Sequence, residues 1–187
     1  MDTRDAVGLL AAAVPREAGT WADLGAGTGT FTRALVELLG PEARIYAVDR
    51  DARLVAALER WAQRDAPNVT AVAADFTGPF ELPGLPAPQL DGVLLANALH
   101  FVADGEAVLR RLANWVRPGG RVVVIEYDRR ARSRWVPYPI SPERLAVLAA
   151  LAGLSAPAVT ATRPSAFGGT LYVAAAERLV ASPRGRP

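Results

Sequence analysis

The chain has 187 residues, of which 51% are hydrophobic and 21% are charged, and its formal net charge at pH 7 is +2. It contains no cysteine, one histidine and no lysine, since every one of its 21 basic residues is arginine. This composition excludes disulfides, thiolate zinc sites, cysteine nucleophiles, histidine-cluster metal centres and Schiff-base lysines, and we therefore expect no metal.

The distribution of apolar residues argues against a membrane partner. No apolar run approaches the roughly 20 residues of a membrane span. The N-terminal stretch contains Asp2, Asp5 and Pro15, which are not typical of a signal peptide, so we expect a cytoplasmic protein.

The length fits one domain, which we place over 1–181, with 182–187 as a disordered tail.

Helical and strand patterns alternate along the chain. In chain order they predict a helix over 3–14, a strand ending at Leu24, a helix ending near Leu39, a strand over 44–49, a helix capped by Asp51, a strand over 69–74, a loop or a very short helix over 77–90, a strand over 91–97, a helix from Asp104 to about Val116, a strand over 121–127, a helix from Ser141 to Gly153, and strands near 157–162 and 170–176.

This alternation predicts a doubly wound α/β fold with seven strands. The strand–helix units make the sheet mostly parallel. The loop between the last two strands is too short for a parallel crossover, and the last strand should therefore be antiparallel.

A glycine-rich turn between the first strand and the next helix predicts a nucleotide-like ligand. Gly25, Gly27 and Gly29 alternate with other residues there. The helix start offers free N–H donors and the positive end of its dipole. Asp23, two residues before the first glycine, would face the ligand. A dinucleotide fingerprint needs a small residue where Thr30 stands, which counts against a nicotinamide cofactor.

Polar residues also end the following strands, where ligands bind in open α/β sheets. Asp49 lies 24 residues after Gly25, close to the spacing at which an acid accepts hydrogen bonds from a ribose diol. Asp75 and Asn97 end the next two strands. Together these side chains predict one binding edge.

The ordered set of motifs resembles the class I S-adenosylmethionine-dependent methyltransferases, in particular small single-domain members of the type 11 and type 25 kind. The resemblance covers roughly 20–127 and implies the Rossmann-like sheet of that family. Its motifs are Asp23 to Gly29, Asp49, Asp75-Phe76, Asp91 to Asn97, and Arg117 to Gly120.

The resemblance also implies roles for these residues toward S-adenosylmethionine. Gly25 and Gly27 would approach the methionine portion, and Asn97, or its backbone, would contact the methionine end of the cofactor. Asp49 would hold the ribose hydroxyls, and Asp75 the adenine amino group, with the Phe76 amide beside the ring. The expected cofactor-binding set is Asp23, Gly25, Ala26, Gly27, Asp49, Arg50, Asp75, Phe76 and Asn97.

Methyl transfer needs a general base only if the acceptor arrives protonated. His100 follows the fourth strand at the ligand edge, and its side chain titrates near neutral pH in its unperturbed state. We take His100 and Tyr127 as candidate catalytic residues. The alternative for His100 is a histidine packed at a strand–helix corner.

The acceptor site is expected on the loops after the fifth and sixth strands. Arginines of the first loop could grip a carboxylate or phosphate. The substrate-binding candidates are Trp135, Tyr138, Arg163 and Phe167. We expect a cavity beside the cofactor sulfur, lined by at least three of five residues, namely these four and Tyr127.

The best interpretation is methyl transfer to a small molecule. An (Asp/Asn)-Pro-Pro-(Tyr/Phe) motif, usual in relatives that methylate base amino groups or glutamine amides, is replaced here by Asn97-Ala98-Leu99-His100. RNA or protein as acceptor is possible but not favoured. A non-catalytic cofactor-binding regulator and a NAD-dependent oxidoreductase are further alternatives. The pattern leaves the oligomeric state open.

Overall fold

The computed structural model describes residues 1–85, 89–165 and 168–180. The strands are β1 Thr20–Leu24, β2 Arg44–Asp49, β3 Val69–Ala73, β4 Leu90–Ala96, β5 Val116–Asp128, β6 Ala158–Pro164 and β7 Thr170–Glu177. The helices are α1 Thr3–Leu10, α2 Thr30–Leu39, α3 Ala52–Asp65, α4 Gly105–Ala113 and α5 Pro142–Leu151, with a short 3₁₀ turn over Leu99–Phe101.

The strands of the described residues form one sheet in the order β3-β2-β1-β4-β5-β7-β6. The pairs among β1 to β5 are parallel, whereas β7 is antiparallel to both β5 and β6. The predicted doubly wound α/β fold and its antiparallel last strand are confirmed. The strand order reverses between β1 and β4, where a sheet of this kind opens a crevice.

Helices cover both faces of the sheet. Apolar residues of α1, α2 and α3, such as Leu10, Leu35 and Leu58, pack on one face. Residues of α4 and α5, such as Leu109 and Leu148, pack on the other. Because both faces are buried, the central strand β4 is continuously apolar from Val93 to Ala96, after the part-buried Asp91 near its start.

Three predicted boundaries, the ends of the first helix and of α4 and the start of β5, are wrong by three or more residues. The first helix ends at Leu10, and the amides of Ala13 and Val14 turn back to the Leu10 carbonyl. The helix α4 ends at Ala113, because Val116 is fully buried and pairs with Leu90 at the start of β5.

The strand β5 therefore begins earlier than predicted. The register between β4 and β5 shifts between Leu90 and Gly92, and this shift accommodates the Pro118-Gly119-Gly120 segment inside the strand. The predicted tail over 182–187 lies outside the described residues, and the domain boundary at 181 stays a prediction. In the described part of the chain, no helix has both the length and the apolar character that crossing a membrane requires.

Candidate functional site

Two cavities open at the carboxyl ends of the parallel strands, and we name each by one lining residue. The Asp49 cavity has a volume of about 190 Å³. Its lining residues are Gly25, Asp49, Arg50, Ala74, Asp75, Phe76, Thr77, Asn97, Ala98 and Phe101. The structure therefore brings six of the predicted cofactor-binding residues to one place.

The glycine turn packs tightly between β2 and the residues after β4. The amides of Gly25 and Ala26 both donate to the Val48 carbonyl at 2.9 Å. Gly25 has a φ of +80°, and a Cβ on it would lie 2.9 Å from the Cβ of Ala98. Only glycine fits this position without strain. Ala26 and Gly27 belong to the same turn but do not line the cavity.

The Asp49 carboxylate is oriented by two backbone amides. Its Oδ2 accepts from Gly27 at 2.8 Å, and its Oδ1 accepts from Asp51 at 2.9 Å. Carboxylate oxygens have about two lone pairs each, so both retain capacity for a ligand. Arg50, the residue after Asp49, is exposed and also lines the cavity.

The third wall is the segment after β3. Asp75 Oδ1 accepts from the hydroxyl and the amide of Thr77, at 2.7 and 2.9 Å. These hydrogen bonds hold the pKa of Asp75 below its usual value, and the nearby Arg50 and Arg111 act in the same direction. The Phe76 carbonyl accepts from Arg111 Nη2 at 2.5 Å. Sequence reasoning missed Arg111, because it lies on α4, far along the chain.

Asp23 is buried, whereas its carboxylate was expected to face the ligand. It is 1% exposed, lines neither cavity, and its Oδ2 accepts a 2.7 Å hydrogen bond from the Thr32 hydroxyl on α2. Burial raises its pKa to about 7, opposed by the Thr32 hydrogen bond and reinforced by the charge of Asp49. The carboxyl group therefore lies beneath the turn and joins β1 to α2.

Asn97 joins the two cavities, since it lines both. Its φ is +53°, a left-handed conformation that asparagine tolerates better than most residues. Its amide donates to the Ile125 carbonyl at 2.8 Å. Its side-chain Oδ1 is buried and has no hydrogen-bond partner among the described residues. Such an orphaned acceptor is costly unless a ligand donates to it.

The second cavity, the Arg163 cavity, has a volume of about 560 Å³. Its lining residues are Met1, Thr30, Phe31, Asn97, Tyr127, Arg163, Pro164, Ser165 and Leu171. Tyr127 and Arg163 thus lie where the acceptor was predicted to bind. The guanidinium of Arg130 stacks over the Tyr127 ring at 4.6 Å.

Among the described residues, two of the five expected lining residues, Tyr127 and Arg163, line this cavity, and Trp135 and Tyr138 lie elsewhere. Trp135 is 64% exposed and Tyr138 is 37% exposed, and neither lines a cavity. The reason is that the next residue, Val136, is buried, so Trp135 lies on the outer side of the loop. Phe167 lies outside the described residues.

His100 forms a buried pair with Glu126 of β5, which sequence reasoning missed. His100 is 3% exposed and Glu126 is fully buried. The carboxylate accepts from the His100 backbone amide at 3.0 Å and lies 2.6 Å from ring Nδ1. Because a carboxylate only accepts, Nδ1 carries the hydrogen and Nε2 of the neutral ring is the proton acceptor. His100 itself lines neither cavity.

Comparison with known proteins gives a family match. A family model described as a methyltransferase domain matches residues 22–122, more than half of the chain. Trans-aconitate 2-methyltransferase from Azoarcus sp. (strain BH72) is 33% identical over 127 residues, which cover 68% of this chain and 46% of that protein. Demethylmenaquinone methyltransferase from Mycolicibacterium vanbaalenii is 40% identical over 106 residues, which cover 57% of this chain and 41% of that protein. The chain spans less than half the length of these curated relatives.

The fold is also similar to solved structures. One is the Burkholderia thailandensis 1,6-didemethyltoxoflavin-N1-methyltransferase with bound 1,6-didemethyltoxoflavin and S-adenosylhomocysteine. Its TM-score is 0.74 at 24% identity, covering 95% of this chain and 78% of that chain. At this identity the likeness establishes the fold alone.

Proposed function

The chain belongs to the class I S-adenosylmethionine-dependent methyltransferases, and from that premise we propose that it transfers a methyl group from S-adenosylmethionine to a small molecule. The observation that carries the proposal is the position of Asn97. It lines the Asp49 cavity and the Arg163 cavity together, so a cofactor in the first would meet an acceptor in the second.

The residues of the Asp49 cavity fit the cofactor. The Asp49 carboxylate would accept from the ribose hydroxyls, and Asp75 with the Phe76 amide would hold the adenine. The orphaned Oδ1 of Asn97 would accept from the amino group of the methionine portion, close to Gly25. When bound, S-adenosylmethionine supplies an electrophilic methyl group on its sulfonium sulfur.

Three further predicted residues help to bind S-adenosylmethionine in this proposal. Gly27 acts through its amide, which donates to Asp49, and Ala26 through its place in the turn. Arg50 forms part of the wall beside Asp75. Asp23 supports the turn from below.

A small-molecule acceptor is supported by the size of the Arg163 cavity. Its volume of about 560 Å³ lies in the usual range for small ligands, roughly 300–1,000 Å³. The two curated relatives reported above carry the names of enzymes that act on small molecules. Trp135 and Tyr138 remain proposed contacts only for an acceptor that extends beyond this cavity, and Phe167 remains a proposed contact.

His100 acts as general base in this proposal whenever the acceptor arrives protonated. Glu126 holds Nδ1 and leaves Nε2 to take a proton. The imidazole centroid lies 4.3 Å from that of Phe101, in the wall of one cavity, and 6.0 Å from that of Tyr127, in the wall of the other. Tyr127 orients the acceptor beside it.

Calorimetric titration with S-adenosylhomocysteine and with NAD tests the cofactor. Binding of S-adenosylhomocysteine is expected, and binding of NAD alone would contradict the proposal. Transfer of radioactive methyl from S-adenosylmethionine to a cell extract then tests the activity. Label should appear in small molecules that survive nuclease and protease treatment. Label only in RNA or protein would favour those acceptors, and cofactor binding without any transfer would favour a regulatory protein.

Once an acceptor is found, the role of His100 can be measured. Replacing His100 by Gln should lower kcat by roughly 10²- to 10⁴-fold, the usual contribution of a general base, at unchanged affinity for S-adenosylhomocysteine. Unchanged kcat in folded His100→Gln would leave His100 with a structural role only.

A further inference from the structure

The wall of the Arg163 cavity has one distinctive chemical feature. Among the described residues that line it, Arg163 has the only charged side chain. The remaining wall is largely apolar and includes Phe31, Pro164, Leu171 and the ring of Tyr127. A molecule that fits this wall has a carbon skeleton and presents one group to the guanidinium.

The guanidinium of Arg163 already holds a carboxylate. Its Nη2 lies 2.8 Å from Oδ2 of Asp5, in the first turn of α1. The two side chains are 39% and 41% exposed. Exposed ion pairs of this kind contribute little to stability, so a competing anion can replace Asp5 at small cost. Arg163 belongs to the cavity wall and Asp5 does not.

A second cation lies beside the same wall. Arg130 stacks its guanidinium over the Tyr127 ring at 4.6 Å, and its Nη1 donates to the Gly168 carbonyl at 3.3 Å. Arg130 follows β5 and Arg163 lies near the end of β6, at the same edge of the sheet. Their combined field favours an anion in this part of the cavity.

We infer that the methyl acceptor is a carboxylate-bearing small molecule, and that its carboxylate replaces Asp5 at the guanidinium of Arg163. This inference rests on the proposed function, since it names the substrate class of that same site. Arginine is suited to the exchange because its planar fork matches a carboxylate. The exchange also releases α1 from β6 at this point, which lets the first turn of α1 adjust to the acceptor.

The experiment uses simple carboxylates as probes. The full chain is saturated with S-adenosylhomocysteine and titrated calorimetrically with 4-hydroxybenzoate and phenylacetate, with their methyl esters, and with tyramine as a cation. We expect the carboxylates to bind about tenfold or more tightly than the esters, as for a charge-assisted hydrogen bond. Arg163→Gln should abolish this preference. Asp5→Asn should strengthen carboxylate binding several-fold, because it removes the competing acid, and should leave ester binding unchanged.

Matched controls come from the exposed ion pair Arg64–Asp65 on α3, whose atoms lie 3.7 Å apart and which lines neither cavity. Arg64→Gln and Asp65→Asn should behave as the wild type.

Three results would overturn the inference: equal binding of acids and esters, no binding of either carboxylate, or tighter binding of tyramine that Asp5→Asn removes. The same titration separates this inference from the proposed function. Failure of S-adenosylhomocysteine to bind contradicts the proposed function. Its binding without a carboxylate preference contradicts only the substrate class.

Discussion

The carboxylate of Asp49 accepts a 2.8 Å hydrogen bond from the backbone N–H of Gly27. The end of β2 thus holds the turn that follows β1, and one residue both shapes the turn and faces the cavity. A change at Asp49 should therefore alter cofactor affinity through direct contact and through the position of the turn.

Replacement of Asp49 by Ala should weaken S-adenosylhomocysteine binding by roughly 10- to 100-fold, from the loss of one or two charged hydrogen bonds. Asp49→Asn should lose less, because its side-chain oxygen can still accept from Gly27. Calorimetry measures both values. Asp51→Ala is the control: it removes the helix cap that accepts from Arg53 at 2.8 Å and should cost about 1 kcal/mol of stability without changing affinity. Unchanged affinity in folded Asp49→Ala would mean that the ribose is held elsewhere.

Gly25→Ala should destabilise the fold and abolish cofactor binding. The new Cβ would lie 2.9 Å from that of Ala98, and alanine at a φ of +80° is strained by roughly 1–3 kcal/mol. Adding Ala98→Gly removes the clash but keeps the strain, so the double variant should recover part of the lost stability. Urea unfolding of the single and double variants measures the effect. Equal stability of the two would show that the Cβ contact has no energetic importance.

The Asn97→Gly variant should test the role of the Asn97 side chain without changing the backbone conformation. Glycine adopts the observed φ of +53° without strain, so the free energy of unfolding should change little. The missing Oδ1 should weaken S-adenosylhomocysteine binding by roughly tenfold. Asn97→Ala is the matched comparison, since it removes the same oxygen but keeps the strain and should therefore also lose stability. Full affinity in Asn97→Gly would show that Oδ1 does not contact the cofactor.

The pH dependence of stability should report the buried carboxyl of Asp23. Burial raises its pKa from the ordinary 3.8 to about 7. The pKa is higher in the folded than in the unfolded state. The contribution of the protonated Asp23 carboxyl to the free energy of unfolding is therefore fully present below pH 3.8 and is lost as the pH rises toward 7. The loss is on the order of 4 kcal/mol. Asp23→Asn cannot ionise, and its stability relative to wild type should therefore rise between pH 4 and pH 7 and then level off.

Urea unfolding at several pH values measures this difference. The exposed Asp65→Asn serves as control and should show no comparable trend. A constant difference between wild type and Asp23→Asn would mean that the carboxyl titrates normally in the fold.

The order of the elements, and the edge of the sheet at which the two cavities open, could be predicted because they depend on local signals. Apolar periodicity distinguishes strands from helices, and caps such as Asp51 and Ser141 mark where helices begin. Parallel strands end at one edge, so residues that end them, such as Asp49, Asp75 and Asn97, meet without any knowledge of long-range contacts. The boundary at Val116 was missed because its place in β5 depends on pairing with Leu90 of another strand.

The acceptor side was decided by tertiary structure. The sequence by itself indicated which loops reach the cofactor edge, but not which side chains turn inward. Burial of Val136 leaves Trp135 outside, whereas the Asp5 carboxylate meets Arg163 from the opposite end of the chain. The direction of a loop side chain depends on which residues the core can bury. The partner of a buried or paired charge depends on how the elements pack. Neither the His100–Glu126 pair nor the Asp5–Arg163 pair leaves a periodic signal, because each joins elements that only the folded sheet brings together.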